Sequence, residues 1–321
     1  LFTDRAIVEN FRKNLMSKSD EAYVYSYEET TEKESAPSPF SLTGAQKEIG
    51  KICGTNASVT QIILEDLYEQ GWTSYARTSK SDLPINLYDP VERNDVLGHL
   101  KNLPSLASQA NFAMDLHNGK IGSQKPFIPK SFVRKDMEHY GIIPTKQIMT
   151  PARLSGLTPK KKKNGKMLHT AANMQLAYET IAKRYIQMFF PPAEYAIQSV
   201  QINVPIRDIL GHEESVFKTR GKRMVSEGWK LAFPKKSATA DTVLPKLTKN
   251  ETGDVLQVNI KKGRTRPPNR YNTISLPQEL EMVGKDVPDP KLRKLLQNAE
   301  GIGQPATRTT AIETVLARKY A

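Results

Sequence analysis

The sequence predicts a multidomain α+β protein in which an antiparallel β domain is interrupted by a mostly helical insertion. Residues 21–31 alternate around three tyrosines, which is the two-residue period of a strand. Residues 193–260 are also strand-rich, and the stretch between the two carries helical periods. We therefore expect three domains: residues 1–38 and 190–262 as the β domain, residues 39–189 as the helical insertion, and residues 263–321 as a partial helical domain.

The charge of the chain indicates a polyanionic partner. The 321 residues carry 47 Lys and Arg against 34 Asp and Glu, a formal net charge of +13. This excess favours nucleic acid, and no long apolar run or basic amphipathic helix supports a membrane surface instead. The single cysteine, Cys53, excludes an internal disulfide. Because no signal peptide is visible and Leu1 starts within an element, we expect a fragment of a cytoplasmic, nucleoid-associated protein.

The first elements are predicted from capping and periodicity. Residues 1–19 place their apolar side chains on one helical face, and residues 32–39 form a charged, proline-containing linker after the first strand. Thr43 is the expected N-cap of the next helix. A further helix is expected to end at Gly71, because a left-handed glycine commonly terminates a helix.

The segment after Gly71 carries the residue on which the functional hypothesis depends. Residues 72–75 are β-prone, so Tyr75 is expected at a strand end, followed at once by Arg77 and Thr78. A phenol with an ordinary pKa of about 10 is a poor nucleophile unless its oxyanion is stabilised. An arginine fork can hold a phosphate under attack. The residues alone allow two interpretations, a nucleophile for phosphate chemistry and a tyrosine half-buried at a sheet edge.

The later elements follow from the same patterns. Residues 80–112 are expected to form a loop and a helix pair. Residues 171–189 repeat apolar side chains at intervals of three and four until two prolines end the helix. In the second strand-rich region, which includes residues 228–231, we expect an antiparallel sheet that also pairs with residues 23–27.

Three basic segments are candidates for contacts with phosphates. Residues 159–166 hold five lysines, which form either a solvated loop or a DNA contact. Residues 261–271 are basic and contain prolines, so they form either a charged linker or a DNA contact. Residues 301–303 are glycine-rich and lead into a helix that begins near Thr307. Free N–H groups at such a helix start can bind an anion, unless Thr307 simply caps the helix.

Several separated segments resemble, in order, motifs of the type IA DNA topoisomerases. The segment Tyr-Glu-x-Gly-x-x-x-Tyr-x-Arg-Thr, ending at Thr78, is similar to the family's active-site segment. The others are Pro-Phe-Ser-Leu-Thr-x-x-Gln up to Gln46, His-x-x-Ile-Ile-Pro-Thr from His139, Thr-x-Pro-Pro-x-x-Tyr up to Tyr271, and Gly-Ile-Gly-x-x-Ala-Thr-Arg up to Arg308. Their order is far more specific than any one motif, and residues 288–296 favour the topoisomerase III branch.

The resemblance implies both a fold and a set of site residues. The fold is an antiparallel β-arch like domain II of the family, interrupted by a helical cap like domain III that carries the tyrosine, with part of a helical strand-binding domain like domain IV. Tyr75 is then the nucleophile that forms a 5′-phosphotyrosine, Arg77 stabilises the phosphate under attack, and His139 is a phosphate or proton partner. The candidates for DNA binding are Gln46, Thr78, Thr145, Lys161, Lys162, Arg266, Arg270, Thr307 and Arg308.

Two positions depart from the family's pattern. Lys80 stands where the family usually has an acidic residue, and Tyr140 stands where the topoisomerase III branch often has a second histidine. No Asp-x-Asp occurs in the sequence, so the Mg²⁺ that the resemblance implies is expected in a Toprim domain missing from this chain, and no cofactor is expected within the chain. We therefore expect the chain alone to bind single-stranded DNA weakly and not to cleave it.

The implied function is ATP-independent cleavage, passage and religation of a DNA strand. The sequence contains no Gly-x-x-x-x-Gly-Lys, in agreement with an enzyme that needs no ATP. The expected partner is single-stranded or negatively supercoiled DNA, and the expected state is a monomer. A non-catalytic single-strand binding module is the alternative, although aromatic content of only 7% gives few stacking side chains. Tyrosine recombinases and relaxases fit poorly, because Tyr75 is early and the five histidines are scattered.

Overall fold

The computed structural model describes residues 4–120, 132–135, 137, 139–161, 167–234, 241–285, 287–298 and 301–320. The chain divides into two compact units. The first, the sheet unit, comprises Leu1–Glu34, Pro192–Gly228 and Lys235–Pro268. The second, the helical unit, comprises Ser35–Pro191, Trp229–Pro234 and Asn269–Ala321.

The described ranges contain ten α-helices and six strands. The helices are α1 Arg5–Ser17, α2 Leu42–Cys53, α3 Ala57–Glu69, α4 Pro90–Leu100, α5 Ala107–His117, α6 Pro151–Ser155, α7 Ala171–Gln187, α8 Ser275–Glu281, α9 Pro290–Asn298 and α10 Pro305–Ala317. The strands are β1 Ala22–Glu34, β2 Leu83–Pro84, β3 Val133–Arg134, β4 Ala193–Val204, β5 Ser215–Ser226 and β6 Thr252–Gly253. Within these ranges no helix has both the length and the apolar character needed to cross a membrane.

The sheet unit is built on an antiparallel sheet with the strand order β5-β4-β1-β6. Strand β1 pairs with β4 in a register that places Tyr23 opposite Asn203 and Thr30 opposite Ile197. Strand β4 pairs in turn with β5. The predicted pairing between the first strand and the second strand-rich region is therefore confirmed, as is the coarse α+β class.

The second strand-rich region contains less strand than predicted. After β5, within the described residues, Thr252–Gly253 pairs with β1 and Thr242 forms an isolated bridge with Lys222 of β5. The segment Gly228–Leu231, expected to be extended, forms a 3₁₀ turn. Gly228 has a φ of +50°, and a β-carbon there would lie 2.3 Å from the carbonyl oxygen of Pro192. This conformation suits glycine and ends the strand, so the prediction for these residues was wrong.

The core of the helical unit lies where α2, α3 and α7 contact one another. The largest fully buried side chains of these helices are Leu42, Ile49, Ile63, Leu64, Leu67, Tyr178 and Tyr185. Burial of each such side chain contributes about 1.5–3 kcal/mol relative to exposure. Helix α3 is therefore held firmly along its apolar face, and its C-terminal end forms a fixed point from which the next segment departs.

The start of α2 differs from the prediction by two residues. Ser41, rather than Thr43, is the N-cap, and its Oγ accepts a hydrogen bond from the N–H of Gly44 at 3.2 Å. Thr43 lies in the first turn and is buried. The two residue types are nearly equivalent as caps. The choice is set by tertiary structure, because the N–H of Leu42 donates to the carbonyl of Thr78 at 2.8 Å.

Helix α10 packs onto α2, α3 and α8 within the helical unit. One buried polar contact fixes its position: Nε2 of Gln46 donates to Oγ1 of Thr309 at 3.1 Å. The glycine-rich loop before α10 is seated on α8, since the N–H of Ile302 donates to the carbonyl of Leu280 at 2.8 Å. A β-carbon at Gly301, where φ is +86°, would lie 2.1 Å from that carbonyl oxygen, so only glycine fits there.

Candidate active site

Tyr75 lies on an irregular loop rather than at the end of a strand. Gly71 has a φ of +79° just after α3, as predicted for a helix terminator. The only strand-like contact of residues 72–75 in the described structure is an isolated bridge between Thr73 and Pro144. Residues 72–75 have β-prone side chains but do not form a strand, because one isolated bridge does not make a continuous ladder of hydrogen bonds with a neighbouring strand. The loop leaves the Tyr75 ring 45% exposed.

Hydrogen bonds fasten the Tyr75 loop to the segment that follows His139. The N–H of Ser74 donates to the carbonyl of Ile143 at 2.9 Å, and the N–H of Ile143 donates to Oγ of Ser74 at 3.0 Å. The N–H of Thr145 donates to the carbonyl of Trp72 at 3.1 Å. These bonds bring together two segments that are about seventy residues apart in the sequence.

The rings of Tyr75, Tyr68 and His139 form one cluster. The centroids of Tyr75 and His139 are 6.4 Å apart, with their planes tilted by 36°. Tyr68, near the end of α3, meets Tyr75 edge to face at 5.4 Å and 80°. Tyr68 and His139 are themselves exposed. The cluster therefore presents a phenol and an imidazole side by side to solvent.

Arg77 is held beside the cluster by a carboxylate on α3. Its Nε donates to Oε1 of Glu65 at 2.6 Å. This hydrogen bond raises the pKa of the Arg77 guanidinium above its usual value, and the negative charges of Glu65 and of an ionised Tyr75 act in the same direction. The guanidinium remains charged at every pH at which the protein is folded. Because the contact uses Nε, the two terminal nitrogens of the fork remain available for a bidentate contact.

A second carboxylate of α3 anchors the start of the lysine-rich segment. Asp66 is buried, and its Oδ2 accepts hydrogen bonds from Nε2 of His169 at 2.8 Å and from the N–H of Lys160 at 2.9 Å. The ammonium of Lys160 pairs with Glu69 of the same helix. The first residues of the segment are thus fixed to the helix that leads to Tyr75.

Three of the expected DNA-binding residues are buried, so that in this structure they do not reach the surface. Gln46 donates to the carbonyl of Ala57 at 3.2 Å as well as to Thr309. Thr78 uses its hydroxyl to accept the N–H of Lys80 at 3.0 Å. Arg308 is 3% exposed, and its Nε donates to the carbonyl of Ile302 at 2.9 Å. The polar groups of these three residues bind neighbouring elements in this structure, so their direct contact with DNA stays a prediction.

The other expected DNA-binding residues differ in exposure. Lys161, Arg266, Arg270 and Thr307 are exposed. Thr145 is partly buried, and its hydroxyl donates to the carbonyl of Gly71 at 2.6 Å, so it supports the Tyr75 loop. Lys162 lies outside the described residues. Gln304 is the N-cap of α10, with an extended backbone and no capping hydrogen bond from its side chain. Thr307 lies in the first turn of the helix.

Glu65 and Tyr68 were missed as site residues by the sequence reasoning. Both lie on α3, and their three-residue spacing places them on one side of the helix. That spacing was readable from the sequence, but nothing in it indicated that the Tyr75 loop turns back along the same helix face. Among the described residues, no group of three His, Cys, Asp or Glu is arranged to hold a metal ion.

The chain matches the family model described as DNA topoisomerase over residues 1–321. It is similar to DNA topoisomerase 3 of Bacillus licheniformis, with 30% identity over 305 residues, which cover 91% of this chain and 37% of that protein. DNA topoisomerase 3 of Bacillus subtilis is 29% identical over 317 residues, which cover 94% and 38%. DNA topoisomerase 1 of Methanothermobacter thermautotrophicus is 27% identical over 284 residues, which cover 88% and 32%. The chain thus spans well under half the length of these relatives.

The fold is also similar to that of a solved structure. Full-length topoisomerase I from Thermotoga maritima superposes with a TM-score of 0.58 at 19% sequence identity. The match covers 99% of this chain and 43% of the other. At this level of sequence identity, the comparison supports a similar fold and nothing further.

Proposed function

This chain belongs to the DNA topoisomerase family, and we propose that it supplies the strand-cleaving tyrosine of a type IA enzyme. The protein cleaves one DNA strand through a transient 5′-phosphotyrosine, lets another strand pass and then reseals the break. The observation that carries this proposal is the exposed cluster of Tyr75, His139 and the Glu65-anchored Arg77. Single-stranded or negatively supercoiled DNA is the substrate, and the topoisomerase III branch is the assignment that the sequence motifs favour.

In the proposed reaction, the phenol oxygen of Tyr75 attacks a phosphodiester in line. A bond forms between this oxygen and phosphorus, and the bond from phosphorus to the 3′-oxygen of the neighbouring nucleotide breaks. The phenol loses its proton and the departing 3′-oxygen gains one, so cleavage consumes no net proton. Religation is the same exchange in reverse. The covalent link conserves the energy of the broken bond, so no ATP is needed.

Arg77 and His139 have separate parts in this reaction. Arg77 stabilises the extra negative charge of the five-coordinate phosphorus, and its anchorage by Glu65 fixes the fork before the substrate binds. His139 lies beside the Tyr75 ring and serves as the phosphate or proton partner. Tyr68 packs edge to face against the Tyr75 ring and restricts its motion.

The Mg²⁺ implied by the family resemblance does not fit the described residues of this chain. None of their His, Cys, Asp and Glu side chains forms a cluster of three that could hold a metal ion. A metal-binding Toprim domain in the full-length protein is part of the proposal.

The domain assignment is likewise a proposal. The antiparallel sheet formed by β1, β4 and β5 supports the assignment of residues 1–38 and 190–262 to a β-arch. The helices around α3 support the assignment of residues 39–189 to a cap that carries Tyr75. Residues 263–321 are assigned to part of a strand-binding domain. We also propose that the protein is a monomer and that it lies in the cytoplasm, associated with the nucleoid.

Trapping of a covalent adduct tests the proposed function. A suicide oligonucleotide, whose short upstream fragment with the free 3′-hydroxyl dissociates after cleavage, should leave the full-length protein covalently attached to DNA. Tyr75→Phe should abolish the adduct, whereas Tyr320→Phe, at a tyrosine that is 74% exposed elsewhere in the chain, should not. Binding of the oligonucleotide without any adduct would instead identify a non-catalytic single-strand binding module.

A further inference from the structure

A cavity of about 440 Å³ opens beside the start of α2, within the helical unit. One side is the face of α2 that carries Gly44, Lys47, Glu48 and Lys51. The rest is formed by the segment Ser38–Ser41, by Ser81 and by Arg184 of α7. None of these residues belongs to the Tyr75 cluster or to the set of expected DNA-binding residues.

The wall of this cavity is fixed by Arg184. Its NH2 nitrogen pairs with Glu48 and its NH1 nitrogen donates to the carbonyl of Ser38 at 3.2 Å. The guanidinium also lies 3.8 Å from the centroid of the Phe40 ring. Arg184 and Glu48 therefore neutralise each other and hold the cavity open from the α7 side.

The positive charge of the cavity comes from Lys47 and Lys51. They lie one turn apart on α2, and both side chains are exposed. In the part of the chain that the structure describes, neither lysine pairs with a carboxylate. With Arg184 and Glu48 compensated, these two ammonium groups give the cavity a net charge of +2.

Hydroxyl groups complete the set of donors. Ser38, Ser41 and Ser81 all line the cavity. Ser41 accepts the N–H of Gly44 through its Oγ, which leaves its own proton free to be donated. Ammonium and hydroxyl donors around this cavity match the acceptor-only oxygens of a phosphate.

The position of the cavity relates it to Tyr75. The first residue of α2, Leu42, is hydrogen-bonded to Thr78, only three residues after Tyr75. Ser81 follows Tyr75 by six residues, so the cavity lies within roughly 20 Å of the tyrosine along the chain. A DNA strand bound at Tyr75 would place a phosphate a few nucleotides away at this distance.

We infer that this cavity binds a backbone phosphate of the DNA strand that Tyr75 attacks, with Lys47 and Lys51 as its charged ligands. The inference rests on the proposed function for the identity of the strand. The expected ligand is a phosphodiester of the DNA backbone. Acetylation of the lysines, described below, distinguishes it from free inorganic phosphate.

The binding of a single-stranded oligonucleotide to the full-length protein is compared between Lys47→Gln/Lys51→Gln and a control, Lys101→Gln/Lys120→Gln. The control removes two exposed lysines of the same unit that lie outside the cavity. Loss of one phosphate contact should make the plot of log K against log salt shallower by about 0.7 and weaken binding by about fivefold to tenfold. The control pair should change neither quantity, and thermal melting should show that both variants are folded. Equal losses in both variants would overturn the inference, because the effect would then be one of net charge.

Acetylation of the wild-type lysines identifies the source of the phosphate. The oligonucleotide should protect Lys47 and Lys51, and inorganic phosphate at the same ionic strength should not. Protection by inorganic phosphate alone would reveal a free-phosphate site and overturn the assignment to the strand. Binding and adduct formation are measured separately, so a failure of this inference can be told from a failure of the proposed function.

Discussion

The Nε of Arg77 donates to a carboxylate oxygen of Glu65 at 2.6 Å, and this contact holds the guanidinium against α3, two residues after Tyr75 in the chain. The pair joins the loop after α3 to the body of α3 itself. Arg77 is therefore positioned by a residue twelve places earlier, before any phosphate is bound. The pair lies near the surface, with 45% of the Arg77 side chain and 21% of the Glu65 side chain exposed.

Glu65→Gln should slow adduct formation without unfolding the protein. The amide keeps the shape of the side chain but loses the charge-assisted hydrogen bond to Arg77, so we expect a threefold to tenfold lower rate at saturating oligonucleotide, which is about 1 kcal/mol. The melting temperature should barely change, since exposed ion pairs contribute about 0–1 kcal/mol. The matched control is Glu92→Gln, which breaks a contact to Lys146 at 2.8 Å in another region. A similar loss of rate in the control would contradict a specific role for Glu65.

Tyr68 should matter as a ring rather than as a phenol. Tyr68→Phe keeps the edge-to-face contact with Tyr75 and should retain the wild-type rate of adduct formation. Tyr68→Leu removes a contact that contributes about 0.5–1.5 kcal/mol, so the rate should fall by about twofold to tenfold while oligonucleotide affinity is unchanged. Single-turnover trapping measures the rate, and fluorescence anisotropy measures the affinity. If affinity falls and the rate does not, Tyr68 stacks on a base instead.

The contact between Gln46 and Thr309 should stabilise the helical unit. Gln46→Ala leaves the buried hydroxyl of Thr309 without its donor, and it should lower the free energy of unfolding by about 1–3 kcal/mol. The comparison is Gln257→Ala, at an exposed glutamine. A double-mutant cycle with Thr309→Val, measured by chemical denaturation, should give a coupling of about 1 kcal/mol. Additive effects would show that the contact contributes nothing of its own.

The buried His117 should make stability depend on pH. Burial lowers the pKa of His117 to about 4, with the charge of Arg93 acting in the same direction and the hydrogen bond to Phe189 opposing both. An unfolded histidine has a pKa of about 6.5. As the pH falls below 6.5, the unfolded chain binds a proton that the folded chain does not, so stability falls between about pH 6.5 and pH 4 and changes little above 6.5.

The effect of His117 on stability is measured by urea denaturation across that range of pH. The full shift corresponds to about 3 kcal/mol. His117→Gln removes the titrating group and should flatten the pH dependence by this amount. A variant with the same slope as the wild type would contradict the assignment.

The sequence was sufficient for the antiparallel pairing of β1 with β4 and for the helix that ends at Gly71. In both places local pattern and tertiary structure agree. It was insufficient where tertiary contacts decide between equivalent local choices. Ser41 is the cap of α2 instead of Thr43 because Leu42 is tied to Thr78.

The site was predictable to a similar degree. Motif resemblance named Tyr75, Arg77 and His139, and the structure places two of their rings 6.4 Å apart. The burial of Arg308 was not predictable, because an arginine in a glycine-rich motif reads as a phosphate ligand until its contacts with Ile302 and Glu281 are known. Glu65 can anchor Arg77 only because the Tyr75 loop runs back along α3. The spacing of residues in the sequence does not reveal the course of that loop.

The account depends most on Tyr75 as the nucleophile. The direct measurement is covalent trapping of a labelled suicide oligonucleotide by the full-length protein, followed by denaturation, proteolysis and mass spectrometry of the labelled peptide. The account predicts a single DNA-linked peptide containing Tyr75, and no adduct in the Tyr75→Phe variant even though that variant binds the oligonucleotide as tightly as the wild type. An adduct on another residue, or one that persists in Tyr75→Phe, would contradict it.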